Sequence, residues 1–183
     1  MQKVVLSEIS LIHGSVAMPK GFEIDRDQIR NDIIESYVKK NRINNNPKAY
    51  SFDDYAVPFS QPLQWMQDYL RDHVRVEYGF TLVNKSIHGN VMHPKEKSWT
   101  RHQVDPVDLK NSPDYTVIYG VDVKENSSEC IIEYDDNRRK NRTWHLPIKN
   151  NEFIMFPATN KYSFSPNTSN GLNIILTLNY EFI

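Results

Sequence analysis

The spacing of apolar positions along this chain changes from a helical period to a strand period near Val76. Two helices are predicted before that point. Ile29, Ile33 and Tyr37, flanked by Ile34 and Val38, recur at the spacing of one helix face over 26–40. Asp25 suits the N-cap with Gln28 as its capping-box partner, and Asn41 to Pro47 breaks the helix. Pro62 fits the first turn of a second helix capped by Ser60 or Gln61. Its buried stripe is Leu63, Met66, Tyr69, Leu70 and Val74, and Trp65 and Met66 are expected in the core. Ahead of both helices, the apolar, β-branched run from Lys3 to Ile12 predicts a strand that His13-Gly14 ends.

From Val76 onward the candidate strands are 80–83, 86–92, 115–123, 129–134, 142–148, 152–157, 161–165 and 172–182. Asn126-Ser-Ser, Asp135-Asp-Asn137, Lys149-Asn-Asn151 and Asn167 to Gly171 supply the turns between the later ones. The last strand alternates, with Leu176, Leu178, Tyr180 and Phe182 on one face and Ile175, Thr177, Asn179 and Glu181 on the other. Two helices followed by many short strands make the class α+β, the strands forming a sandwich, barrel or jelly roll. No internal repeat and no linker divides the sequence. One domain over 1–183 is expected, with 1–78 as helical support and 79–183 as the β core.

Charge and composition narrow the function classes. The formal net charge of −1 does not favour nucleic acid as a partner. The single cysteine, Cys130, excludes an intramolecular disulfide and reads as a small buried hydrophobe in Glu129 to Tyr134. A reducing compartment or a virion suits it. No apolar run has the length of a membrane span, and the N-terminus lacks the pattern of a secretory signal. Three Asn-x-Ser/Thr matches, at Asn126, Asn141 and Asn167, are then chance matches. Neither a phosphate-cradling glycine loop nor a Gly-x-Ser-x-Gly elbow is present. Asp53-Asp54 and Asp135-Asp136 read as solvated loop charges, and the basic tip 136–142 as a guard on a sheet edge. Trp99, Tyr115, Tyr119, Trp144 and Tyr162 have their ordinary place in an aromatic-rich β core.

The order of several segments carries a resemblance. Met92-His-Pro-Lys-Glu-Lys-Ser-Trp-Thr-Arg-His-Gln-Val-Asp-Pro106 resembles the stretch of iron(II)/2-oxoglutarate oxygenases that delivers a His-x-Asp or His-x-His pair. Tyr115 to Val123 resembles their next strand, and Leu146 to Pro157 their "Pro, turn, apolar run, Phe-Pro" segment. Lys161 to Asn167 lies where the second metal histidine usually occurs. Asn173 to Asn179 is similar to the final strand, which opens with the arginine that grips the co-substrate. The resemblance covers residues 80–182 and is greatest to the oxygenase-like proteins of bacteriophages. It implies a double-stranded β-helix, a cupin-like jelly roll, with the two helices packed on it.

Carried over residue by residue, the resemblance implies a degenerate site. An iron oxygenase needs two histidines and a carboxylate on one face of the metal, and a cation for the co-substrate carboxylate. His102 takes the first histidine position, but Val104 stands two residues on. Asp105, three on, falls on the opposite strand face unless a bulge rotates it. Tyr162 takes the second histidine position, with Lys161 one residue out of register. Asn173 takes the arginine position, and Tyr119 is the other co-substrate position. His88, His93 and His145 are the remaining candidates to complete a metal set, although His88 and His93 fall on opposite faces of a regular strand. The expectation is a non-catalytic protein on an oxygenase scaffold, a structural or assembly part of a phage virion such as a tail, neck or baseplate. No cofactor is expected. Its partners would be other virion or assembly proteins or further copies of itself, in the virion or the host cytoplasm. The competing readings are a hydroxylase with an atypical metal site, using iron(II) and 2-oxoglutarate, and a cupin-like small-molecule binding module.

Overall fold

Residues 10–44, 54–135 and 141–183 are described by this computed structural model. In chain order they form β1 (Ile12–Ser15), α1 (Arg26–Asn44), β2 (Tyr55–Ala56), α2 (Gln61–Tyr78), β3 (Leu82–Met92), β4 (Tyr115–Asp122), β5 (Glu129–Tyr134), β6 (Arg142–Pro147), β7 (Glu152–Pro157), β8 (Lys161–Phe164) and β9 (Asn173–Phe182). A turn of 3₁₀ helix at Leu109–Asn111 precedes β4. The class is α+β. All strand pairs between named strands are antiparallel, in one sheet of order β1-β7-β4-β9-β3-β2 and a second of order β6-β5-β8.

The cap of the first helix acts as read, whereas Ser60, at the N-cap of α2, makes no side-chain cap bond. Asp25 Oδ1 accepts the Gln28 N–H at 3.0 Å, satisfying one of the free donors of the first turn of α1. The helix continues through Asn41 to Asn44, past the expected break. Its Ile29 and Ile33 are fully buried, and so are Met66, Leu70 and Val74 of α2. Gly79 ends α2 in the left-handed region at φ 80°, donating its N–H to Arg75 O. Trp65 lies at the margin of the core instead of inside it: it is half-buried, edge-on to Phe22 with centroids 4.5 Å apart. Tyr69 is also half-buried, and its hydroxyl donates to Ser15 O.

The strand boundaries show two corrections. His13 and Gly14 do not end the first strand but lie within β1, paired with Ile154 and Phe153; residues 3–9 of that expectation lie outside the described residues. The candidate strands 80–83 and 86–92 are one strand, β3, with an irregularity between Asn84 and Ser86. The turns use the chain's asparagines, since Asn126, Asn141 and Asn151 adopt positive φ of 53°, 57° and 62°. Asparagine tolerates that conformation better than most residues.

Two cores result. Ile174, Leu176, Leu178 and Tyr180 of β9 point with Val117, Tyr119 and Phe153 toward the helices. Contact there is close: a Cβ on Gly89 of β3 would lie 2.6 Å from Ile33 Cγ2 of α1. The opposite face of the large sheet meets the small one through Met92, Ile118, Ile132, Phe156, Phe164 and Ile175, and Cys130 is fully buried among them. The other inward positions of β9, Asn173, Thr177 and Asn179, are also buried. The interior between the sheets is therefore apolar in part and polar at the positions that position the site.

Candidate functional site

The segment after β3 crosses to the small sheet and pairs with β8 at one point. Arg101 N–H donates to Tyr162 O at 2.7 Å, and Tyr162 N–H donates to Arg101 O at 3.0 Å. Residues paired across strands present their side chains to the same face. Tyr162 faces inward, wholly buried and edge-on to Phe156 and Phe164. Arg101 therefore faces inward, and by alternation so does Gln103. Gln103 Nε2 donates to the Tyr162 hydroxyl at 2.8 Å.

His102, between them, turns outward. It is exposed, with Nε2 3.2 Å from Thr159 O. Asp105 is also exposed and caps a turn: its carboxylate accepts the Val107 N–H at 2.8 Å and its own N–H donates to Ser112 Oγ. His102, Asp105 and Tyr162 are thus engaged with three different neighbours and do not form one ligand set. Val104 is half-buried.

The co-substrate positions diverge too. Asn173 is fully buried, donating from Nδ2 to Ser127 Oγ and Ser128 Oγ, both at 2.8 Å, and accepting the Lys124 N–H at 3.0 Å. Its hydrogen-bonding capacity is spent on holding the β4–β5 turn. Tyr119 points to the helix layer, where its hydroxyl donates to Asn151 Oδ1 at 3.0 Å. Burial pushes its phenol up from the ordinary value. Asn173 and Tyr119 therefore share no pocket.

Of the other histidines, His145 is exposed on β6 beside Glu129, and His93 bonds the Tyr37 hydroxyl at 2.8 Å. His88 alone joins the polar interior. Its Nε2 lies 3.4 Å from both Asp54 Oδ1 and Arg101 Nη1. Burial holds its imidazole below the usual value; Asp54 opposes that shift and Arg101 adds to it.

Around these groups runs a connected polar network. Thr116 Oγ1 donates to Asn179 Oδ1 at 3.0 Å, and Asn179 Nδ2 donates to Ser86 Oγ and Gln103 Oε1. Thr177 Oγ1 donates to Asn90 Oδ1 at 2.9 Å. Arg101 Nη1 donates to Asp54 Oδ1 at 2.6 Å. Arg101, Gln103 and Asn90 were not given a role from the sequence, Asp54 was read as a solvated loop charge, and Thr177 and Asn179 only as one face of the last strand. The available signal was the polar alternation of β9, Asn173-x-x-x-Thr177-x-Asn179, within a strand buried on both faces.

These residues do not fit an iron(II) centre. Among the described residues no group of three His, Cys, Asp or Glu side chains converges. The inward positions that flank His102 carry a guanidinium and an amide. The guanidinium would repel a divalent cation, and the Tyr162 hydroxyl is engaged by Gln103. Burial also raises the Tyr162 phenol, against the phenolate a metal would require.

No protein-family model and no curated protein matches this sequence. Solved structures do match in fold. A prolyl-4-hydroxylase of Pseudomonas putida superposes with a TM-score of 0.58 at 9% identity, over 93% of this chain and 91% of that one. A viral collagen prolyl hydroxylase from Paramecium bursaria Chlorella virus-1, in its 2OG complex, gives 0.58 at 13% identity over 93% and 94%. A Trichoplax adhaerens prolyl hydroxylase, in complex with a hypoxia inducible factor peptide fragment, gives 0.63 at 9% over 93% and 83%. The fold is therefore the double-stranded β-helix of the iron(II)/2-oxoglutarate oxygenases.

Proposed function

We propose that this chain is a non-catalytic protein that keeps the oxygenase scaffold and serves as a structural or assembly component of a bacteriophage virion, a tail, neck or baseplate part. One observation carries the non-catalytic reading: the segment expected to deliver metal ligands turns Arg101 and Gln103 inward and His102 outward. A one-residue shift in register exchanges the two faces of a strand. Here it turns inward a cation and an amide, Arg101 and Gln103, in place of His102 and Val104. The virion setting is supported by the sequence resemblance over 80–182 to oxygenase-like phage proteins. Its partners would be other particle proteins or further copies of the chain.

The catalytic question is tested by anaerobic titration of the purified protein with iron(II) and 2-oxoglutarate. The expected result is no metal-to-ligand charge-transfer band at saturating concentrations. A band, abolished in His102→Ala, would establish a hydroxylase-type site and end the non-catalytic reading. The virion role is tested by mass spectrometry of purified particles and by the protein's oligomeric state. Presence in particles or a defined oligomer is expected; a strict monomer absent from particles would refute it.

A further inference from the structure

One row of side chains crosses the inner face of the small sheet. Arg101 is bridged to Tyr162, Tyr162 pairs with Ile132, and Ile132 pairs with Trp144. Residues paired in this way share a face, so all four turn toward the large sheet. Tyr162 and Ile132 are buried, at 0% and 3% exposure. Trp144, at the end of the row on β6, is 53% exposed. The aromatic core expected from the sequence therefore does not extend to this tryptophan. A single exposed tryptophan on an outer face needs no explanation, but one on an inner face marks a place where the two sheets do not close.

The gap is a cleft of about 460 Å³ between β1 of the large sheet and β5 and β6 of the small one. His13 pairs with Ile154, whose side chain lies between the sheets, so His13 faces the small sheet. Leu11, two residues earlier, shares that face. Phe156 and Leu146 line the cleft as well, and both pack into the core between the sheets. The volume lies within the range of pockets that hold small organic molecules, roughly 300–1,000 Å³. Apart from His13, no side chain that lines it ionises near neutral pH. An ion entering there would lose water without gaining a partner, which selects an uncharged occupant. Asn160 also lines the cleft and is 8% exposed. Its Nδ2 donates to Glu133 O at 2.9 Å, whereas its Oδ1 has no donor among the described residues. That leaves an acceptor for an N–H or O–H that enters the cleft.

We infer that this cleft binds an uncharged, flat aromatic molecule bearing an N–H or O–H donor, a phenol or an indole in chemical class. Its ring would lie against Trp144 and Phe156, where aromatic pairs gain from offset or edge-on contact beyond the area they bury. Its donor would reach Asn160 Oδ1, and its body would cover the exposed half of Trp144. The site is distinct from the segment that carries His102. Trp144 stands three strand spacings from Arg101 across the small sheet, about 14 Å. It uses no metal, so it stands or falls independently of the non-catalytic reading.

The probe is 2-naphthol, neutral at about pH 7, titrated into the full chain and followed by two-dimensional NMR of the amides and of the Trp144 indole N–H. Saturable shifts are expected at Leu11, Trp144, Leu146 and Asn160. The ether 2-methoxynaphthalene keeps the rings but has no donor, and its midpoint should be higher by roughly fivefold, the loss of one hydrogen bond. The anion 2-naphthoate should bind about tenfold or more weakly than 2-naphthol, since its charge finds no partner. Trp144→Ala should raise the 2-naphthol midpoint by about tenfold or more. Leu146→Trp, which fills the cleft, should abolish the shifts. The absence of saturable shifts with 2-naphthol, a midpoint for either other compound equal to that of 2-naphthol, or binding unchanged in either variant would overturn the proposal. Should a variant lose the native spectrum, the three compounds on the unmodified protein decide alone, and equal midpoints overturn it.

Discussion

Tyr162 separates a structural role from a ligand role by two substitutions. The side chain is wholly buried, 5.4 Å from the Phe156 ring and 5.8 Å from the Phe164 ring, centroid to centroid. Its hydroxyl accepts a bond from Gln103 and has the Arg101 guanidinium beside it. Tyr162→Phe keeps both ring contacts and removes that acceptor. Gln103 is only half-buried and can turn to water, so the loss is that of one ordinary hydrogen bond, about 1 kcal/mol. Tyr162→Ala removes the ring as well and leaves a cavity between the sheets, at roughly 3–5 kcal/mol. Urea unfolding followed by the fluorescence of the three tryptophans gives both values from the shift in midpoint, provided the slope is unchanged. For a domain of this size each kcal/mol lowers Tm by about 2–4 °C. The alanine variant should therefore melt roughly 6–20 °C lower and the phenylalanine variant about 2–4 °C lower. A phenylalanine variant as destabilised as the alanine variant would refute the reasoning, because the hydroxyl would then hold something stronger than the Gln103 amide. An alanine variant within about 1 kcal/mol of the parent would refute the placement of the ring in the core.

Three further outcomes follow from single environments. Gly120→Ala should destabilise by roughly 2 kcal/mol or more in the same urea assay, because its Cβ would meet the Lys149 carbonyl oxygen at 2.0 Å and that contact is with backbone; a neutral result would mean that the 149–150 segment does not cross β4 so closely. Cys130 is fully buried and burial pushes its thiol up, so it should resist iodoacetamide in the native protein and react only on unfolding; rapid native labelling would contradict its place between the sheets. His88 has a folded value below its ordinary 6.5, so on acidification the unfolded chain takes up the proton first. Its contribution is complete above about pH 6.5 and is lost as pH falls from there through the folded value, so the urea midpoint should drop between pH 7.5 and pH 5.5 by less in His88→Gln than in the parent.

Most of the fold was legible because its signals are local. Asp25 with Gln28, Pro62 near the start of α2 and the asparagine turns each act within a few residues, and each does what its chemistry favours. Elsewhere the reading failed. Asn41 to Asn44 stay helical despite their composition. The irregularity between Asn84 and Ser86 lets one strand run where two were expected, because β9 pairs along nearly its whole length. Asp54 looked like a solvated loop charge, and half of its surface is indeed exposed. Its partner Arg101 lies 47 residues away in sequence, and no local pattern connects the two.

The misread site has the same origin in sharper form. The facing of the segment 99–105 was not legible. In a long strand the facing is set many times over by alternating apolar residues, as in β9. The stretch Thr100-Arg-His-Gln-Val104 offers one apolar residue and four polar ones, so either facing satisfies its composition equally well. The choice is made outside the segment, by the single pairing of Arg101 with Tyr162. Tyr162 is committed inward because Phe156 and Phe164 hold its ring. Whatever pairs with it must present its side chain to the same interior, and that residue is the arginine beside the histidine. Thus the tyrosine standing at the second histidine position does more than omit a ligand. Its bulk and its pairing fix the register that turns His102 out and brings a cation in.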